Sequence, residues 1–371
     1  MKPEVFILTP EPPERPGGGM ERSVSYIAAG LEGRGYSVRV FHRENCAPPR
    51  WRRPEPSRKA AWLLAGFLQG YYIGRAASNA LHPGVRLVLS NSTVGWFPLG
   101  DHVKQVHVYH GTYWGQAEAI RPLITRRGYL KLKWWDAMVL ERWSGWRKLC
   151  LCNSDQTREE VERIFGYNCV TTWNPLDVHH FRPLDRKQCR RGLGLPESKP
   201  LGLFVGSTHP QKGLPTVQVL IDAFPQVQWV IALRGEVPEA LWRASRVKVF
   251  QNVTYEELPI LYSAADFSLC PSRYEPFGYV VAEALACGTP VIAAPGGASR
   301  LFLSKPPLDK FLVASPDDQA AFAKAISDVL VDPDSYRQAV LNQVRPMLEE
   351  VMAPENWWPR FLSVTGLSGD G

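Results

Sequence analysis

Short apolar runs alternate with longer amphipathic stretches along the first half of the chain. Apolar runs bounded by Gly, Pro or polar residues predict buried strands, whereas stretches with a period near 3.6 residues predict helices. The predicted strands are residues 5–8, 37–42, 86–89, 104–109, 148–152 and 169–173. The predicted helices are residues 21–34, 60–74 and 156–165.

The alternation restarts after a polar, Pro- and Arg-rich segment at residues 178–198, which we interpret as an interdomain connection. The predicted strands of the second half are residues 201–205, 229–233, 247–250, 264–270 and 291–294. Its predicted helices are residues 216–224, 256–263, 280–287, 319–330, 334–350 and 355–363. The whole pattern predicts an α/β protein with two doubly wound, Rossmann-like parallel-sheet domains that face each other across a cleft. We expect one domain at residues 1–178, joined by a C-terminal helix at about 355–371, and the other at residues 179–354.

Residues 271–290 are the most informative stretch, because they read as strand end, glycine loop, helix and strand in quick succession. The loop faces a helix N-terminus, where unpaired N–H groups and the helix dipole attract anions. Glu275 lies on the loop and Glu283 inside the helix. If the segment were helical throughout, the two carboxylates would lie roughly 12 Å apart along the axis. A phosphate at the helix start, with a hydroxyl-rich group near each carboxylate, is the shape of a nucleotide sugar.

Two features of the first half also point to ligand binding. The glycines at residues 17–19 precede the helix at 21–34, which makes a second anion site, although a mobile Pro/Gly loop is the alternative. Met20, Glu21 and Arg22 break the dinucleotide-binding pattern Gly-x-Gly-x-x-Gly. His110 follows the strand at 104–109, at the sheet edge where ligands bind, but a structural role stays open.

Composition narrows the class of protein. With 371 residues, 45% of them apolar, the chain can form two domains with full cores. A net charge of +7 and a pI near 9.0 suit an anionic partner, or belong to a basic soluble protein without one. We expect no nucleic-acid partner, because no recognition signature is present. The seven cysteines lack metal-site spacing, and no signal peptide is visible, so we expect a reduced, cytoplasmic protein without a metal.

Two stretches raise the question of a membrane. Residues 60–74 are nearly uncharged but shorter than a bilayer span, and we favour an internal helix over a membrane-facing one. Residues 130–148 combine four tryptophans with interleaved Lys and Arg. We favour an aromatic core covered by the basic side chains. The alternative is a membrane interface, with peripheral binding to the inner face of an anionic membrane.

Three ordered motifs carry a family resemblance. Residues 257–266 read Glu-Leu-Pro-x-Leu-Tyr-x-x-Ala-Asp, residues 271–278 read Pro-Ser-x-Tyr-Glu-x-Phe-Gly, and residues 283–291 read Glu-Ala-x-Ala-Cys-Gly-Thr-Pro-Val. With them, the chain resembles the retaining GT-B-fold glycosyltransferases of the large Glu-x7-Glu family, glycosyltransferase family 4 or group 1. The resemblance implies transfer of a hexose from a nucleoside-diphosphate sugar to a glycan, lipid-linked or natural-product hydroxyl. It implies neither a cofactor nor a metal.

The resemblance also implies roles for individual residues. Glu275 would hydrogen-bond donor-sugar hydroxyls, Glu283 would bind the ribose, and Lys212 would stabilise the leaving diphosphate. His110 would lie beside the donor sugar. Gly18 and Gly19 would let the backbone approach the donor phosphate and the acceptor. The backbone N–H groups expected near the sugar and phosphate are those of Phe277, Gly278 and Tyr279.

The chain departs from the family pattern at two positions near the donor. Ser207 stands where the family usually has an Arg that binds the diphosphate. Arg234 ends a neighbouring predicted strand, and we hypothesise that it supplies the missing cation. Arg300 stands where the family tends to have a Glu.

These departures keep one alternative open, a non-catalytic member that binds nucleotide sugars or glycans. A further alternative is a GT-B enzyme of another type, such as a sugar-nucleotide epimerase or a phosphorylase. The sequence Asp332-Pro333-Asp334 has the form of a metal-binding Asp-x-Asp. We interpret Asp334 instead as a helix N-cap and Pro333 as a helix breaker.

Overall fold

The computed structural model describes residues 2–14, 18–48, 59–235 and 246–367, and of residues 59–63 it describes the backbone alone. Its chain forms two compact units. Unit 1 comprises Met1–Pro175 together with Trp357–Gly371, and unit 2 comprises Leu176–Asn356.

Unit 1 is built on a six-stranded parallel sheet with the order β2-β1-β3-β4-β5-β6. The strands are β1 (Glu4–Leu8), β2 (Ser37–Phe41), β3 (Val85–Asn91), β4 (Lys104–Tyr109), β5 (Leu149–Cys152) and β6 (Cys169–Thr171). Apolar side chains are buried on both faces: Val5 and Ile7 lie in one core cluster, and Phe6 and Leu8 in another. A parallel sheet covered on both faces explains the continuous apolar runs of the sequence. All six predicted strands are confirmed.

The helices of unit 1 are α1 (Gly19–Glu32), α2 (Arg43–Cys46), α3 (Lys59–Ala80), α4 (Tyr113–Ala119), α5 (Arg126–Leu130), α6 (Arg142–Gly145) and α7 (Asp155–Phe165). A π-helix, Lys131–Glu141, joins α5 to α6. The helix predicted at residues 60–74 is confirmed as part of α3, in which Ile73 and Ala77 are completely buried and Leu64 is 43% exposed. Ser154 caps α7 by accepting a hydrogen bond from the Thr157 N–H.

The aromatic core favoured for residues 130–148 is wrong. Trp134, Trp143 and Trp146 are 53%, 56% and 61% exposed, although each belongs to a type of residue that prefers burial. The inward side of this helical segment is occupied by smaller or polar side chains. Those that are buried are Asp136, Ala137, Leu140, Glu141 and Ser144. The helix therefore turns these three indoles away from the core, whereas the fourth, Trp135, is half-buried and its Nε1 atom is buried.

Unit 2 is built on a five-stranded parallel sheet with the order β11-β10-β7-β8-β9. The strands are β7 (Leu201–Ser207), β8 (Gln228–Arg234), β9 (Val247–Gln251), β10 (Phe267–Cys270) and β11 (Val291–Ala293). All five match the predicted strands. Because β10 lies between β7 and β11, the loops that follow these three strands meet at one edge of the sheet.

The helices of unit 2 are α8 (Arg186–Gly192), α9 (Leu214–Ala223), α10 (Leu258–Ala264), α11 (Tyr279–Ala286), α12 (Gly297–Phe302), α13 (Gln319–Val331), α14 (Pro333–Ala339) and α15 (Arg345–Met352). A π-helix, Val340–Val344, joins α14 to α15. The last helix, α16 (Pro354–Thr365), returns the chain to unit 1, where Trp357, Trp358 and Phe361 enter a core cluster.

Two local interpretations of unit 2 need correction. Residues 178–198 belong to unit 2 and include α8, whose buried Arg190 pairs with Asp266 at 2.8 Å. The N-cap of α14 is Asp332, which accepts from the Ser335 N–H, whereas Asp334 pairs with Arg186 at 2.7 Å.

Within the described part of the chain, no helix is both long and apolar enough to cross a membrane.

Candidate active site

An ion pair at the carboxyl edge of the unit 2 sheet joins Lys212 to Glu275. The Lys212 ammonium donates to Glu275 Oε2 at 2.6 Å. Lys212 ends a short 3-10 turn after β7, and Glu275 lies in the loop after β10, the neighbouring strand. The structure thus brings together two of the three residues predicted to be catalytic.

Backbone contacts fix both loops. Gly213 has φ +74°, and a Cβ at this position would lie 2.1 Å from the Pro271 carbonyl oxygen, so the loop after β7 approaches the loop after β10 closely. The Arg273 N–H donates to the Gln211 carbonyl oxygen at 2.8 Å, and the Gly297 N–H donates to the Glu275 carbonyl oxygen at 2.9 Å. Three loops are therefore tied to each other around Glu275.

The environment keeps Lys212 charged. Burial lowers the pKa of Lys212, but the charge and the hydrogen bond of Glu275 outweigh it and raise the pKa above its usual value. The positive charge of Arg234 acts in the opposite sense on this pKa. Lys212 is therefore an ammonium ion at neutral pH, and Arg234 is close enough for its charge to be felt.

Arg234 lies opposite Ser207 in the sheet. The two residues end β8 and β7 and are paired Cα partners in the parallel ladder. Position 207 thus carries no cation, and the neighbouring strand carries one, Arg234, on the same edge of the sheet. Arg300, the other departure, is exposed on α12.

Gly278, with φ +94°, is the N-cap of α11 and has no side chain to cap the helix. The N–H groups at a helix start find no partner inside the helix, and the helix dipole adds positive potential there. Phe277 and Tyr279 flank this glycine, are 4% and 9% exposed, and lie with ring centroids 4.5 Å apart. The structure therefore places an anion-attracting helix terminus two residues after Glu275–Pro276, as the sequence pattern indicates.

Glu283 lies inside α11 and is 2% exposed. One of its oxygens accepts from the hydroxyl of Tyr262 at 2.8 Å, a residue of α10 that is itself completely buried. This contact orients the carboxylate, and sequence reasoning missed it. The available signal was the Tyr of the motif at residues 257–266, to which no role was given.

In unit 1, His110 follows β4 and is held by Asn91 at the end of β3. Asn91 Nδ2 donates to the Leu8 carbonyl, so its Oδ1 is the acceptor for His110 Nε2–H at 2.8 Å. This network assigns the tautomer with a lone pair on Nδ1. Burial lowers the pKa of His110 to about 4, so the ring is neutral at neutral pH. Nδ1 is buried and has no hydrogen-bond partner among the described residues.

Asn91 is a second residue that sequence reasoning missed. It stands at the carboxyl end of a predicted strand beside that of His110, and the position was the available signal.

Gly18 is the N-cap of α1 and Gly19 its first residue, again without a side-chain cap. Gly17 lies outside the described residues. His110, Gly18 and Gly19 all belong to unit 1, whereas Lys212, Glu275 and Glu283 belong to unit 2.

This chemistry suits an anionic, hydroxyl-rich ligand. Unit 2 offers a charged ammonium, a guanidinium and a helix N-terminus for negative charge, and two carboxylates for hydroxyl groups. Unit 1 offers a neutral imidazole whose lone pair can accept one more O–H.

Both halves of the chain match models of the same group of enzymes. Residues 17–179 match the model of glycosyltransferase family 4, and residues 185–343 match that of glycosyl transferases group 1. The chain belongs to this glycosyltransferase family. The family prediction made from the motifs of residues 257–291 is therefore confirmed.

The relatives of this glycosyltransferase include a probable transglycosylase from Burkholderia thailandensis, which is 29% identical over 74% of each chain. A D-inositol 3-phosphate glycosyltransferase from Catenulispora acidiphila is 35% identical over 39% of each chain. The second match thus spans about two fifths of that relative's length.

Solved structures show the fold of this glycosyltransferase. Sucrose-phosphate synthase from Thermosynechococcus elongatus has a TM-score of 0.80 at 21% identity and covers 98% of both chains. HepE from Anabaena, in complex with UDP-glucose, has a TM-score of 0.70 at 16% identity and covers 98% of this chain and 99% of its own. The predicted GT-B fold with two Rossmann-like, parallel-sheet domains is confirmed.

Proposed function

We propose that this glycosyltransferase is a metal-independent, retaining hexosyltransferase. It moves a hexose from a nucleoside-diphosphate sugar to a hydroxyl group of a glycan, lipid-linked or natural-product acceptor. The observation that carries the proposal is the Lys212–Glu275 ion pair, held beside the N-terminus of α11 at the carboxyl edge of the unit 2 sheet.

Lys212 and Arg234 supply the charge that the leaving group needs. When the bond between the sugar and the diphosphate breaks, negative charge develops on the phosphate oxygens. A fixed cation placed there stabilises the transition state more than the ground state. Lys212 is charged at neutral pH, and Arg234 approaches from the next strand. Side-chain cations thus take the electrostatic role that a metal ion plays in other phosphate sites.

Glu275 changes partners in this proposal. Without a donor, its carboxylate accepts from the Lys212 ammonium. When the diphosphate takes over the ammonium, the Glu275 carboxylate becomes an acceptor for the sugar hydroxyls. Glu283 binds the ribose hydroxyls, and Tyr262 holds its carboxylate in place.

His110 positions the donor sugar from unit 1. Its neutral ring carries a proton on Nε2, which Asn91 binds, and a lone pair on Nδ1. A sugar hydroxyl that donates to Nδ1 would satisfy this buried nitrogen. Because the pKa of His110 is about 4, this acceptor stays available down to mildly acidic pH.

The first donor to test is UDP-glucose, because a structural neighbour of this chain was solved with it. GDP- and ADP-sugars are the comparison, because the residues described above contact sugar, phosphate and ribose rather than the base. The retaining outcome rests on the resemblance of the Glu275–Glu283 motif to retaining members of the family.

The experiment has two stages. A thermal-shift screen of UDP-, GDP- and ADP-sugars identifies the donor, because a ligand that binds the native state alone raises the melting temperature. Donor turnover is then measured with and without added acceptors, in the presence of EDTA, for the wild type, Lys212→Met and Glu275→Gln. We expect Lys212→Met to lower kcat by about 100- to 1000-fold, as for other lost oxyanion-stabilising groups.

Lys187→Met is the matched control, because Lys187 is exposed on α8 and has no ion pair among the described residues. Equal turnover in the wild type, Lys212→Met and Glu275→Gln would contradict the proposed chemistry and support a binding role. Interconversion of the free donor sugar would indicate an epimerase. Loss of activity in EDTA would contradict metal independence, and an inverted anomer would contradict retention.

A further inference from the structure

Unit 1 exposes large apolar side chains along one helical segment. Trp134 and Trp143 project from the segment Arg126–Leu130, Lys131–Glu141 and Arg142–Gly145, and Trp146 follows its last residue. Leu123 and Leu130 are 41% and 43% exposed and come from the same stretch of chain. We call the exposed residues of 121–148 the tryptophan face. Three exposed indoles within so short a stretch form an apolar surface that a folded soluble domain normally buries.

The same stretch carries most of the net charge of the chain. Residues 121–148 contain eight basic and two acidic residues, whereas the whole chain has a formal charge of +7. Both acidic residues, Asp136 and Glu141, are buried, and Asp136 pairs with Lys131 at 2.5 Å. Five arginines of this stretch are exposed and form no ion pair with any described residue: Arg121, Arg126, Arg127, Arg142 and Arg147. The tryptophan face is therefore both apolar and strongly positive.

The face is held firmly by the rest of unit 1. The Trp134 ring packs edge-on against Trp114 of α4 at 5.5 Å, and the Lys133 ammonium lies 4.1 Å from the Trp114 ring centroid. Lys133 also forms an ion pair with Glu118, the acidic residue that faces this side from α4. The buried Glu141 carboxylate accepts from the Tyr113 N–H at 2.9 Å. Trp134 and the helical segment that carries it are thus held against α4 and do not belong to a frayed end.

We propose that the tryptophan face docks unit 1 on the surface of an anionic lipid bilayer. Indole rings are enriched at the membrane–water interface, where an apolar body with a polar N–H is well solvated. Arginines beside them attract anionic headgroups, and helices with basic and Trp/Leu side chains lie in the plane of this interface. Both kinds of side chain are exposed along this one segment.

Charge and composition favour a bilayer over other anionic partners. Surfaces that bind single-stranded nucleic acid combine a basic groove with aromatic rings on which bases stack. The exposed Leu123 and Leu130 offer neither a ring nor a charge, whereas leucines are typical of a helix in a membrane interface. A second copy of this chain would bring two positive faces together, and like charges would repel. A bilayer with anionic headgroups complements both the charge and the apolar groups.

The bilayer also bears on the acceptor, although this step rests on the proposed function. Tyr113, whose N–H donates to Glu141, follows His110 by three residues, so the tryptophan face and His110 belong to one packed unit. The family resemblance implies that the first domain binds the acceptor, so docking would bring the acceptor site to the membrane surface, which favours a lipid-linked acceptor over a free one.

The test is flotation of the full-length protein with phosphatidylcholine vesicles that contain or lack phosphatidylglycerol. We expect binding to the anionic vesicles, weaker binding at high salt, and little binding to the neutral ones. Replacing Arg126, Arg127, Arg142 and Arg147 by Gln should weaken binding by a factor on the order of 10² to 10³, at about fivefold for each charge. The triple change Trp134→Ser, Trp143→Ser and Trp146→Ser should abolish the fluorescence quenching by brominated lipids that the wild type shows.

The controls separate this surface from general basicity. The matched charge control replaces the exposed residues Arg182, Lys187, Lys199 and Lys305 of unit 2 by Gln. The apolar control is Val331→Ser, because Val331 is 85% exposed on α13 of unit 2. Both should float like the wild type. Melting temperatures check that every variant is folded.

Binding does not depend on turnover, so flotation and the donor assays can fail separately. Three outcomes would overturn the docking proposal. One is equal recovery on anionic and neutral vesicles. Another is unchanged binding in both the arginine and the tryptophan variants. The third is tighter binding to single-stranded RNA than to anionic vesicles, lost in the same variants, which would make the face a nucleic-acid surface.

Discussion

We call the carboxyl edge of the unit 2 sheet, with Lys212, Arg234 and Glu275, the donor edge. The donor edge and the tryptophan face of unit 1 are both rich in charged residues, but these residues differ in their partners. At the donor edge, the Lys212 ammonium is paired with the Glu275 carboxylate, and neighbouring loops are joined by backbone hydrogen bonds. On the tryptophan face, the acidic residues are buried and five exposed arginines form no ion pair with any described residue. The charged groups of the donor edge are therefore held in fixed positions, whereas those of the tryptophan face are open to solvent.

The difference indicates two kinds of partner. A small ligand must meet a few groups in fixed positions, and each loop that holds them must be rigid. A bilayer is broad and deformable, so a docking surface needs the right sum of charge and apolar area rather than exact positions. Substitutions at the donor edge should therefore have sharp, position-dependent effects, whereas effects on the tryptophan face should be graded and sensitive to salt.

The largest effect should come from Gly213→Ala, which attacks the rigidity of the donor edge. A Cβ at this position would lie 2.1 Å from the Pro271 carbonyl oxygen, and φ is +74°. We expect a loss of roughly 3 kcal/mol or more in the free energy of unfolding, from left-handed strain and overpacking together. Lys212 is the preceding residue, so donor affinity should fall as well. Urea denaturation and donor titration measure the two effects.

Gly235→Ala is the matched control, because Gly235 has φ +95° but its Cβ would meet Thr208 Oγ1 no closer than 4.0 Å. It should cost about 1–2 kcal/mol, the left-handed strain alone. If the two alanine variants proved equally stable, the close approach of the loops would not be what holds the donor edge.

The sequence predicted the donor edge better than the tryptophan face, and the reason is physical. Strands β7, β10 and β11 are buried on both faces and read as continuous apolar runs, and parallel topology brings their loops together. Glu275 and Gly278 could therefore be placed by their distance along the chain from a strand end.

Other residues depend on contacts that no local pattern shows. Asn91 binds His110, and Tyr262 binds Glu283. In each pair the two residues belong to different strands or helices, so the contact could be found only once the packing of these elements was known. Trp134 and Trp143 were expected in a core, because apolar residues normally lie on the buried side of a helix. The buried side turned out to hold Asp136 and Glu141, whose polar groups find partners inside. Burial of charged residues reversed the direction expected for the indoles.

A smaller effect on the free energy of unfolding is expected from a change in pH. It tests whether His110 of unit 1 is buried as a neutral ring. Burial lowers the pKa of His110 from the value of about 6.5 expected in the unfolded chain to about 4. Between these values the unfolded chain binds more protons than the folded one, so the free energy of unfolding decreases as pH falls from 6.5 towards 4. His110 accounts for at most about 3 kcal/mol of this loss. Chemical denaturation across this pH range measures it.

His110→Gln removes the titrating ring, so its stability should depend less steeply on pH than that of the wild type. Burial also lowers the pKa of His107 well below its usual value, so part of the dependence should remain. His102→Gln is the control, because His102 is exposed in the same unit. Identical slopes for the wild type and His110→Gln would show that His110 is not buried as a neutral ring.

The smallest effect concerns the position of the second cation at the donor edge. Arg234 and Ser207 are Cα partners at the ends of adjacent strands, and the charge of Arg234 is felt at Lys212. If Arg234 binds the diphosphate, Arg234→Ala should raise the Kd for nucleoside diphosphates by about tenfold, the loss of one charge-assisted hydrogen bond. Isothermal titration at low salt measures it. Arg246→Ala is the control, because Arg246 precedes β9 at the opposite edge of the same sheet.

An exchange of the two positions makes this test stricter. In the double variant Ser207→Arg with Arg234→Ser, the cation moves one strand across the edge, to the place where the family usually carries it. Since the two Cα atoms are paired in the ladder, the guanidinium can reach the same phosphate, and part of the lost affinity should return. Unchanged affinity in Arg234→Ala would remove Arg234 from the site. If affinity fell in Arg234→Ala but did not return in the double variant, an arginine at position 207 could not replace Arg234, and Arg234 would not be the equivalent of the missing cation.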